Sequence, residues 1–342
     1  FTGKQGYKSL EKISEIVSEK LSEKQKEDEG SPKKIKPKEI IFGCTGTIGE
    51  SFPEDKIINQ LSALIEKIKY TQNKYIWMKA ALGIMTTDTQ PKMSMEKCLI
   101  GNSEIKIFGV AKGSGMIMPK MATMLAFIFT DALIEPKLLQ TLLNLGVRDS
   151  FNSISVDNDT STNDTVLAFA TGQRMSGKNT KPISRIGDKR LVKFRKALDY
   201  VMKDLAIQIV KDGEGATKLV QVNVRNATSI SSAKKVAKSI ANSPLIKTAI
   251  AGSDPNWGRI IMAIGKTKEK LSHDKLIIKI GNNVVIKNGE LAKRYSERKT
   301  QKYMNNKKII IDVDLGIGAG FSSFWTCDLT EEYVRINTDY RS

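Results

Sequence analysis

Histidine is almost absent from this chain: a single residue, His273, occurs among 342. It stands in the polar segment 271–275, ahead of a predicted strand and far in sequence from every segment that could carry a nucleophile. A serine or cysteine nucleophile activated by histidine is therefore not expected. An enzyme built on a hydroxyl nucleophile would need another base. We expect His273 to be a surface residue.

Cysteine is also scarce, and long apolar runs are missing. The three cysteines, Cys44, Cys98 and Cys327, are odd in number, widely spaced and without histidines at ligand spacing. This pattern argues against a disulfide framework and against a zinc site, so we expect reduced, mostly buried thiols and no metal. No apolar run approaches the length of a membrane span, and no basic-then-apolar signal segment opens the sequence. We expect a cytoplasmic protein with no membrane partner.

Aromatic residues make up 6% of the chain, although its formal net charge is +18. Lysines are spread over nearly every polar segment and are denser only at 24–38 and 293–308. The aromatics of the second patch are Tyr295 and Tyr303, too few for the stacking platform that single-stranded nucleic acid requires. We favour a solvated, lysine-rich surface without a nucleic-acid partner; a basic nucleic-acid-binding protein is the non-enzymatic alternative. Such a surface can still steer acidic substrates.

The most informative segment is 112–124, with the sequence Lys-Gly-Ser-Gly-Met-Ile-Met-Pro-Lys-Met-Ala-Thr-Met. It places a glycine-rich, apolar approach before Ala122 and Thr123. Glycine lets the backbone come close to a reacting centre, and the small Ala122 leaves the following peptide bond unshielded. A threonine hydroxyl needs a base beside it, and its own amino group supplies one when that residue becomes a chain N-terminus. Judged alone, the methionine-rich run is equally compatible with a packed core.

Two other glycine-rich segments imitate nucleotide-binding loops. Segment 172–179 has Asn179 where a phosphate-binding loop needs a hydroxyl residue, and Pro182 follows where a helix should begin, so we reject that interpretation. Segment 316–320 lacks the spacing of a dinucleotide fingerprint and predicts a tight turn between strands.

An acidic segment contains Asp157, Asp159 and Asp164, which could form a loop that binds a divalent cation. The glycine and the terminal glutamate of such a loop are absent. The asparagine, serine and threonine residues between the carboxylates favour a capped, hydrogen-bonded turn instead. We therefore expect a turn.

Segment 112–125 resembles the self-cleavage motif of the ornithine acetyltransferase (glutamate N-acetyltransferase) family, whose members cleave between the alanine and the threonine. The resemblance continues through four further segments, 155–165, 212–218, 254–259 and 333–337. It therefore spans essentially the whole chain. The family usually has glycine where Asn158 stands, and asparagine is the substitute that best tolerates a left-handed backbone.

The resemblance implies an α/β (α+β) fold of layered helices packed on stacked mixed sheets, of the N-terminal-nucleophile type. Cleavage between Ala122 and Thr123 would divide the chain into residues 1–122 and 123–342, with a second lobe from about Gly213. The family assembles from two copies of each cleaved chain, so a heterotetramer is expected. Because residues 1–6 resemble an interior family segment, we expect the first part to be N-terminally incomplete.

The resemblance also implies the site residues. Thr123 is the nucleophile, and Thr45 and Gly46 form the oxyanion hole. The substrate-binding positions are Thr86, Lys112, Thr123, Glu214, Asn337 and Ser342. Without the resemblance, the glycine-rich segment around Thr45 would be interpreted simply as a turn, Glu214 as a helix-end carboxylate and Lys112 as a solvated strand end.

The implied function is acetyl transfer from N-acetylornithine to glutamate through an acetyl-threonine intermediate, a step of arginine biosynthesis with ping-pong kinetics. Some members of the family also acetylate glutamate from acetyl-CoA, which stays open here as a co-substrate; no other cofactor and no metal is implied. The alternative enzyme is a related self-processed threonine amidohydrolase or aminopeptidase, in which water replaces glutamate as the acceptor.

Apolar periodicity and turn residues predict the elements around these motifs. Helices are predicted at 10–21, from 53 onward, and at 79–85, 136–145, 191–210 and 233–240. Strands are predicted at 39–42, 104–110, 124–129, 153–156, 219–224 and 276–280.

Overall fold

A computed structural model describes residues 2–29, 34–68, 73–118, 124–175 and 181–339, without the side chains of residues 27–29. The chain divides into two compact units, which we call the N-terminal unit, up to Lys79, and the main unit, Ala80–Asp339. Each is described by itself below. None of the helices in the described ranges combines the length and the hydropathy of a membrane span.

The regular structure described in the N-terminal unit is helical. Its helices are α1, Gly3–Glu29, and α2, Glu54–Glu66, and α3, Lys74–Gly83, begins in it and ends in the main unit. Lys12 of α1 forms an ion pair with Glu54 of α2 at 2.5 Å. The helices predicted at 10–21 and from 53 onward are confirmed, and the helix predicted at 79–85 lies earlier in the chain.

The strand predicted at 39–42 is wrong. A 3-10 turn occupies Pro37–Glu39 instead, and residues 40–47 have no regular structure. Pro37 fixes the first backbone angle of the turn, and the Glu39 carboxylate accepts the N–H of Lys36 at 2.8 Å. The backbone just before residues 40–42 is therefore held by this local capping contact. The apolar residues 40–42 themselves pair with no strand within the described ranges.

The first sheet of the main unit has four strands in the order β1–β2–β3–β4. Their bounds are β1 Lys92–Ile100, β2 Ser103–Lys112, β3 Leu125–Thr130 and β4 Thr165–Ala170. The pairs β1–β2 and β2–β3 are antiparallel and β3–β4 is parallel. The strands predicted at 104–110 and 124–129 are confirmed as β2 and β3.

Helices α4, Pro136–Arg148, and α5, Leu191–Lys211, pack in this half of the main unit. α5 lies on β1 and β2, and its residues Phe194, Val201 and Leu205 are fully buried. A methyl group added to Gly109 of β2 would lie 2.6 Å from Leu205 Cδ1, so this glycine lets the helix approach the strand closely. Both helices were predicted from their apolar periodicity and are confirmed.

The second sheet has six strands in the order β10–β5–β9–β6–β7–β8. Their bounds are β5 Leu219–Ala227, β6 Ile277–Ile280, β7 Asn283–Lys287, β8 Glu290–Leu291, β9 Lys308–Asp314 and β10 Gly320–Cys327. β5 and β9 are parallel, whereas the other pairs are antiparallel. The predicted strands at 219–224 and 276–280 are confirmed as β5 and β6.

Five helices lie between or after the strands of this sheet along the chain: α6 Ile230–Ala241, α7 Pro244–Ala251, α8 Trp257–Gly265, α9 Glu297–Met304 and α10 Glu331–Asp339. α6, the helix predicted at 233–240, packs on β5 and β10. Buried valines of β5 and Phe324 of β10 form an apolar core with the alanines, Val236 and Ile240 of α6. Both sheets are thus mixed and carry helices, which confirms the predicted α/β (α+β) architecture.

Residues 153–156 do not form the predicted strand. A 3-10 turn, Phe151–Ser153, is followed by a single bridge from Ile154 to Trp325 of β10. The N–H of Ser155 donates to the carbonyl of Trp325 at 3.0 Å. The Val156 N–H turns away to the carbonyl of Ile117 at 2.8 Å, so pairing stops after one bridge.

Three smaller predictions have clear outcomes. His273 is exposed, as expected. Residues 316–320 connect β9 to β10 as the predicted turn, in which Gly316 has φ of 71°. None of the three cysteines forms a disulfide. Cys327 is buried, whereas Cys44 and Cys98 are half-buried, so the expectation of mostly buried thiols was wrong for two of them.

Candidate active site

The sequence-predicted site residues fall into three groups in the structure. Ala122 and Thr123, the cleavage pair, and Ser342 lie outside the described residues, and so do residues 176–179 of the rejected phosphate-loop segment. Thr45 and Gly46 lie in the N-terminal unit, in the irregular segment before α2. The remaining four, Thr86, Lys112, Glu214 and Asn337, belong to the main unit and meet around the end of β2.

A buried carboxylate, Asp88, folds the loop before β1. Its oxygens accept the N–H of Thr86 at 3.1 Å and the N–H of Gly113 at 2.6 Å. Lys92 of β1 donates to it at 2.5 Å. The loop that carries Thr86 is therefore held directly against the residue that follows Lys112.

Lys92 also binds a second carboxylate, Asp212, at 2.6 Å. Asp212 follows α5 and in addition accepts N–H groups of Thr89 and Gln90 at 3.0 Å and 3.3 Å. The side chains of Lys92 and Asp88 are only 2% and 0% exposed. We call Asp88, Lys92 and Asp212 the ionic triad; it joins the loop, β1 and the end of α5.

Lys112 ends β2 and is 1% exposed. Its ammonium donates to Thr86 Oγ1 at 2.9 Å, and within the described ranges no carboxylate lies in ion-pair distance of it. Burial lowers the pKa of Lys112, while the negative charges of Asp88 and Glu214 partly oppose that shift. An ammonium has three donors. Within the described residues, Thr86 accepts from one of them.

Glu214 follows α5 and is 8% exposed. Its N–H donates to the carbonyl of Ser114 at 2.9 Å, and its carboxylate accepts the side-chain amide of Asn337 at 2.8 Å. Asn337 lies on α10 and also donates to the carbonyl of Tyr333 at 3.0 Å. A methyl group added to Gly115 would overlap the Glu214 carboxylate, so this glycine makes room for it.

One protein family matches this chain along its whole length. The model of the ArgJ family matches residues 1–342. This chain belongs to the ArgJ family. The family resemblance seen in the sequence is thereby confirmed.

Relatives of this ArgJ-family chain are known from several bacteria. The "Arginine biosynthesis bifunctional protein ArgJ" of Caulobacter vibrioides is 45% identical over 342 residues, which are 100% of this chain and 80% of that protein. The protein of the same name from Brucella suis is 50% identical over 304 residues, 89% of this chain and 72% of that protein. The crystal structure of "Arginine biosynthesis bifunctional protein argJ" from Bacillus halodurans is 42% identical, with a TM-score of 0.59 over 63% of this chain and 98% of that one.

The acidic segment of this ArgJ-family chain forms the expected turn. Asp157 accepts the N–H groups of Met116 and Ile117 at 2.6 Å and 2.9 Å, and Asn158 has the left-handed φ of 71° that its position predicts. No group of three or more histidine, cysteine, aspartate or glutamate side chains within the described ranges could hold a metal ion.

Burial, together with the charges of Asp157 and Glu214, raises the pKa of Tyr333 above its ordinary value.

Sequence reasoning missed the ionic triad. Asp212 opens one of the segments that resemble the family, and Asp88 lies two residues after Thr86, but their bonds to Lys92 join residues up to 120 positions apart. The available signal was weak: a lysine three residues after a Thr-Thr-Asp-Thr segment. Only the fold shows that these charges are buried and paired.

A cavity of about 440 Å³ lies beside this site rather than at it. Its lining includes Met118 and Met124, which flank residues 119–123, and the carboxylate residue Asp164, but none of the four converging residues above. The buried charges of Lys112 and Glu214 therefore lie outside the lining of this cavity.

Proposed function

We propose that this chain is a glutamate N-acetyltransferase of arginine biosynthesis, which moves the acetyl group of N-acetylornithine to glutamate. Two findings support the proposal. The chain matches, over its whole length, relatives named arginine biosynthesis bifunctional proteins. Its main unit brings a buried lysine and a buried glutamate to one place, which suits substrates that carry both a carboxylate and an ammonium group.

The observation that carries the proposal is the burial of the Lys112 ammonium without a carboxylate partner among the described residues. A buried ammonium without a carboxylate partner is costly. A substrate carboxylate would pair with it and offset that cost, while Thr86 keeps the side chain in place at 2.9 Å. Glu214, held by Asn337, would accept the substrate ammonium. Ser342 would contribute the last polar contact.

The first half-reaction uses Thr123 after cleavage of the Ala122–Thr123 bond. The Thr123 hydroxyl attacks the acetyl carbonyl, and the Thr123 amine takes the hydroxyl proton. Thr45 and Gly46 donate hydrogen bonds to the oxyanion of the tetrahedral intermediate. The amide C–N bond of N-acetylornithine then breaks, the proton passes to the leaving amine, and ornithine departs.

The second half-reaction runs the same chemistry in the opposite direction. The amine of glutamate attacks the acetyl-threonine ester, the ester C–O bond breaks, and the proton returns to the Thr123 hydroxyl. The acetyl group is conserved as N-acetylglutamate. Ornithine leaves before glutamate reacts, which predicts ping-pong kinetics.

The function is tested by following an isotopically labelled acetyl group from N-acetylornithine. The proposal expects labelled N-acetylglutamate that depends on added glutamate. Release of the label as acetate, at the same rate with and without glutamate, would instead identify a threonine amidohydrolase. Exchanging N-acetylornithine for labelled acetyl-CoA in the same assay tests whether acetyl-CoA is a co-substrate.

Lys112→Met is expected to weaken substrate binding strongly. A hydrogen bond to a charged group contributes roughly 1.5–3 kcal/mol, so KM should rise by roughly 10- to 100-fold. Folding should be unaffected or improved, because methionine removes a buried charge that has no carboxylate partner among the described residues. Steady-state kinetics measure the change in KM, and urea unfolding measures the free energy of unfolding. The control is Lys137→Met, on the exposed face of α4, and equal KM values for the two variants would contradict the role of Lys112.

Gly115→Ala is expected to displace the Glu214 carboxylate, because the added methyl group would overlap it. A misplacement of this kind can lower kcat/KM by roughly 100-fold. The control is Gly187→Ala, where an added methyl group meets no atom within 4 Å. Unchanged kcat/KM in Gly115→Ala would mean that the position of Glu214 is unimportant.

Several expectations from the sequence stay predictions. They are the assembly into two copies of each cleaved chain, the division at Ala122–Thr123 with a second lobe from about Gly213, the cytoplasmic location, and catalysis without a metal or tightly bound cofactor.

A further inference from the structure

Glu214 occupies a tight turn between α5 and β5. The N–H of Ala216 donates to the carbonyl of Gly213 at 2.8 Å, so Glu214 and Gly215 are the two central residues of the turn. Gly215 has a left-handed φ of 68°, which a turn of this kind accepts most readily from glycine. The direction of the Glu214 side chain therefore depends on how the turn is held.

The segment after β10 holds the chain that leaves this turn. Asp328 is 2% exposed. Its Oδ1 accepts the N–H groups of Thr217 and Lys218 at 2.8 Å and 2.9 Å, and its Oδ2 accepts the Thr217 hydroxyl at 2.5 Å. The far end of the turn is thus fixed to the end of β10.

Thr330, two residues after Asp328, holds the turn itself. Its hydroxyl donates to the carbonyl of Gly215 at 2.7 Å. Its own carbonyl accepts the N–H of Tyr333, in the first turn of α10, at 3.2 Å. A methyl group added to Gly215 would overlap the backbone of Tyr333, so the turn and the helix are in direct contact. Thr330 therefore joins the residue after Glu214 to the start of α10.

α10 depends on such contacts, because none of its residues is buried. It carries Asn337, whose side-chain amide donates to the Glu214 carboxylate at 2.8 Å. Asn337 lies about two helical turns after Thr330. The two hydrogen bonds, from Thr330 to Gly215 and from Asn337 to Glu214, thus tie the same helix to adjacent residues of the turn.

We propose that Thr330 is a positioning residue for the substrate ammonium: its hydroxyl bond to Gly215 keeps the Glu214 carboxylate and the Asn337 amide together at the place where the ammonium of N-acetylornithine binds. This inference rests on the proposed function. Without the bond, α10 is no longer held against the turn, and Glu214 loses its fixed direction. A displaced carboxylate weakens the binding of an ammonium group but has no effect on a substrate that lacks one.

The test compares two acetyl donors in Thr330→Val, which replaces the hydroxyl with a methyl group of similar size. N-acetylnorvaline has the carbon skeleton and the carboxylate of N-acetylornithine but lacks its ammonium. For N-acetylornithine, kcat/KM should fall roughly 10- to 100-fold through displacement of the carboxylate. The loss should appear mainly in KM, because the ammonium is bound alike in the ground state and the transition state. For N-acetylnorvaline, kcat/KM should stay near the wild-type value.

Two control variants accompany this comparison. Thr330→Ser keeps the hydroxyl and should keep the wild-type preference for N-acetylornithine. Thr267→Val removes a matched hydroxyl, since Thr267 is also half-buried and donates to a main-chain carbonyl, that of Ile264, at 2.7 Å. Thr267 lies just after α8 and should match the wild type with both donors when it is replaced.

A double variant tests whether Thr330 acts through Glu214. Glu214→Gln should by itself remove most of the preference for N-acetylornithine. Adding Thr330→Val to Glu214→Gln should cause no further loss in kcat/KM, because two residues that act through one contact are not additive. Additive losses would show that Thr330 acts elsewhere and would contradict the inference.

Three further outcomes would overturn it. Wild-type preference between the two donors in Thr330→Val would show that the hydroxyl bond does not position Glu214. Equal losses with both donors, or a Thr330→Val chain that fails to fold in urea-unfolding measurements, would make Thr330 a residue that supports the fold. Failure of the proposed function itself would appear separately, as a wild-type enzyme that transfers no acetyl group from N-acetylornithine to glutamate.

Discussion

Thr123→Ala is expected to remain a single uncut chain and to lose acetyl transfer entirely. The hydroxyl is the nucleophile in the proposed scheme, and the amine that activates it exists only after cleavage. Removing the nucleophile of a covalent catalyst lowers kcat by roughly 10⁴- to 10⁶-fold. Intact-mass measurement of the denatured protein gives the first result, and the labelled-acetyl assay gives the second.

Two further variants serve as controls for Thr123→Ala. Thr123→Ser keeps a hydroxyl and an amine and should still be cleaved and active, at reduced rates. Thr141→Ala, on the exposed face of α4, should behave as the wild type. A cleaved and active Thr123→Ala protein would show that the nucleophile lies elsewhere. Residues 1–122 and 123–342 are the fragments that the wild type should yield.

Lys92→Met is expected to have the largest effect on stability. Lys92 is the centre of the ionic triad, with ion pairs of 2.5 Å to Asp88 and 2.6 Å to Asp212. Removing one partner of a buried ion pair leaves an uncompensated charge and costs roughly 3–5 kcal/mol. The free energy of unfolding in urea measures the loss. Activity should fall as well, because Asp88 positions both Thr86 and the residue after Lys112.

The matched control is Lys97→Met in the same strand. Lys97 pairs with Glu104 at 3.0 Å, but both side chains are about half exposed. Exposed ion pairs contribute roughly 0–1 kcal/mol. Equal destabilisation by Lys92→Met and Lys97→Met would contradict the special role of the triad.

Acid should reduce the difference between the wild type and Lys92→Met. Burial by itself would raise the pKa of Asp88, but the Lys92 ammonium and the Gly113 N–H outweigh it, so the pKa is lower than in the unfolded chain. A carboxylate with a lowered folded pKa stabilises the protein above its unfolded pKa, and this contribution is lost as the pH falls through the folded value. The two unfolding free energies should therefore converge at acidic pH.

The elements that could be predicted from the sequence are those with a strong local pattern. α4 and α5 carry continuous apolar stripes, and β2 and β3 are short apolar runs, so all four were found. β1 was missed because polar residues such as Glu96 and Lys97 interrupt it, and it becomes a strand only by pairing with β2. Residues 40–42 were predicted as a strand from apolar character alone, and nothing pairs with them within the described ranges.

The site was predictable only in part, and for a physical reason. The cleavage motif and the glycine-rich segments are contiguous, so their resemblance to a known family could be seen. The contacts that position Lys112 and Glu214 join segments that are distant in sequence: Asn337 donates a hydrogen bond to Glu214, 123 positions away. Neither the burial of Lys112 nor the pairing of Lys92 leaves a local pattern, so both required the fold.

The central claim is that acetyl groups pass through Thr123, and the most direct measurement is the mass of the cleaved chains after exposure to N-acetylornithine without glutamate. The account predicts that the fragment beginning at Thr123 gains the mass of one acetyl group and loses it when glutamate is added. Fragments of unchanged mass, in an enzyme that still forms N-acetylglutamate when both substrates are present, would contradict it and indicate direct transfer between the substrates.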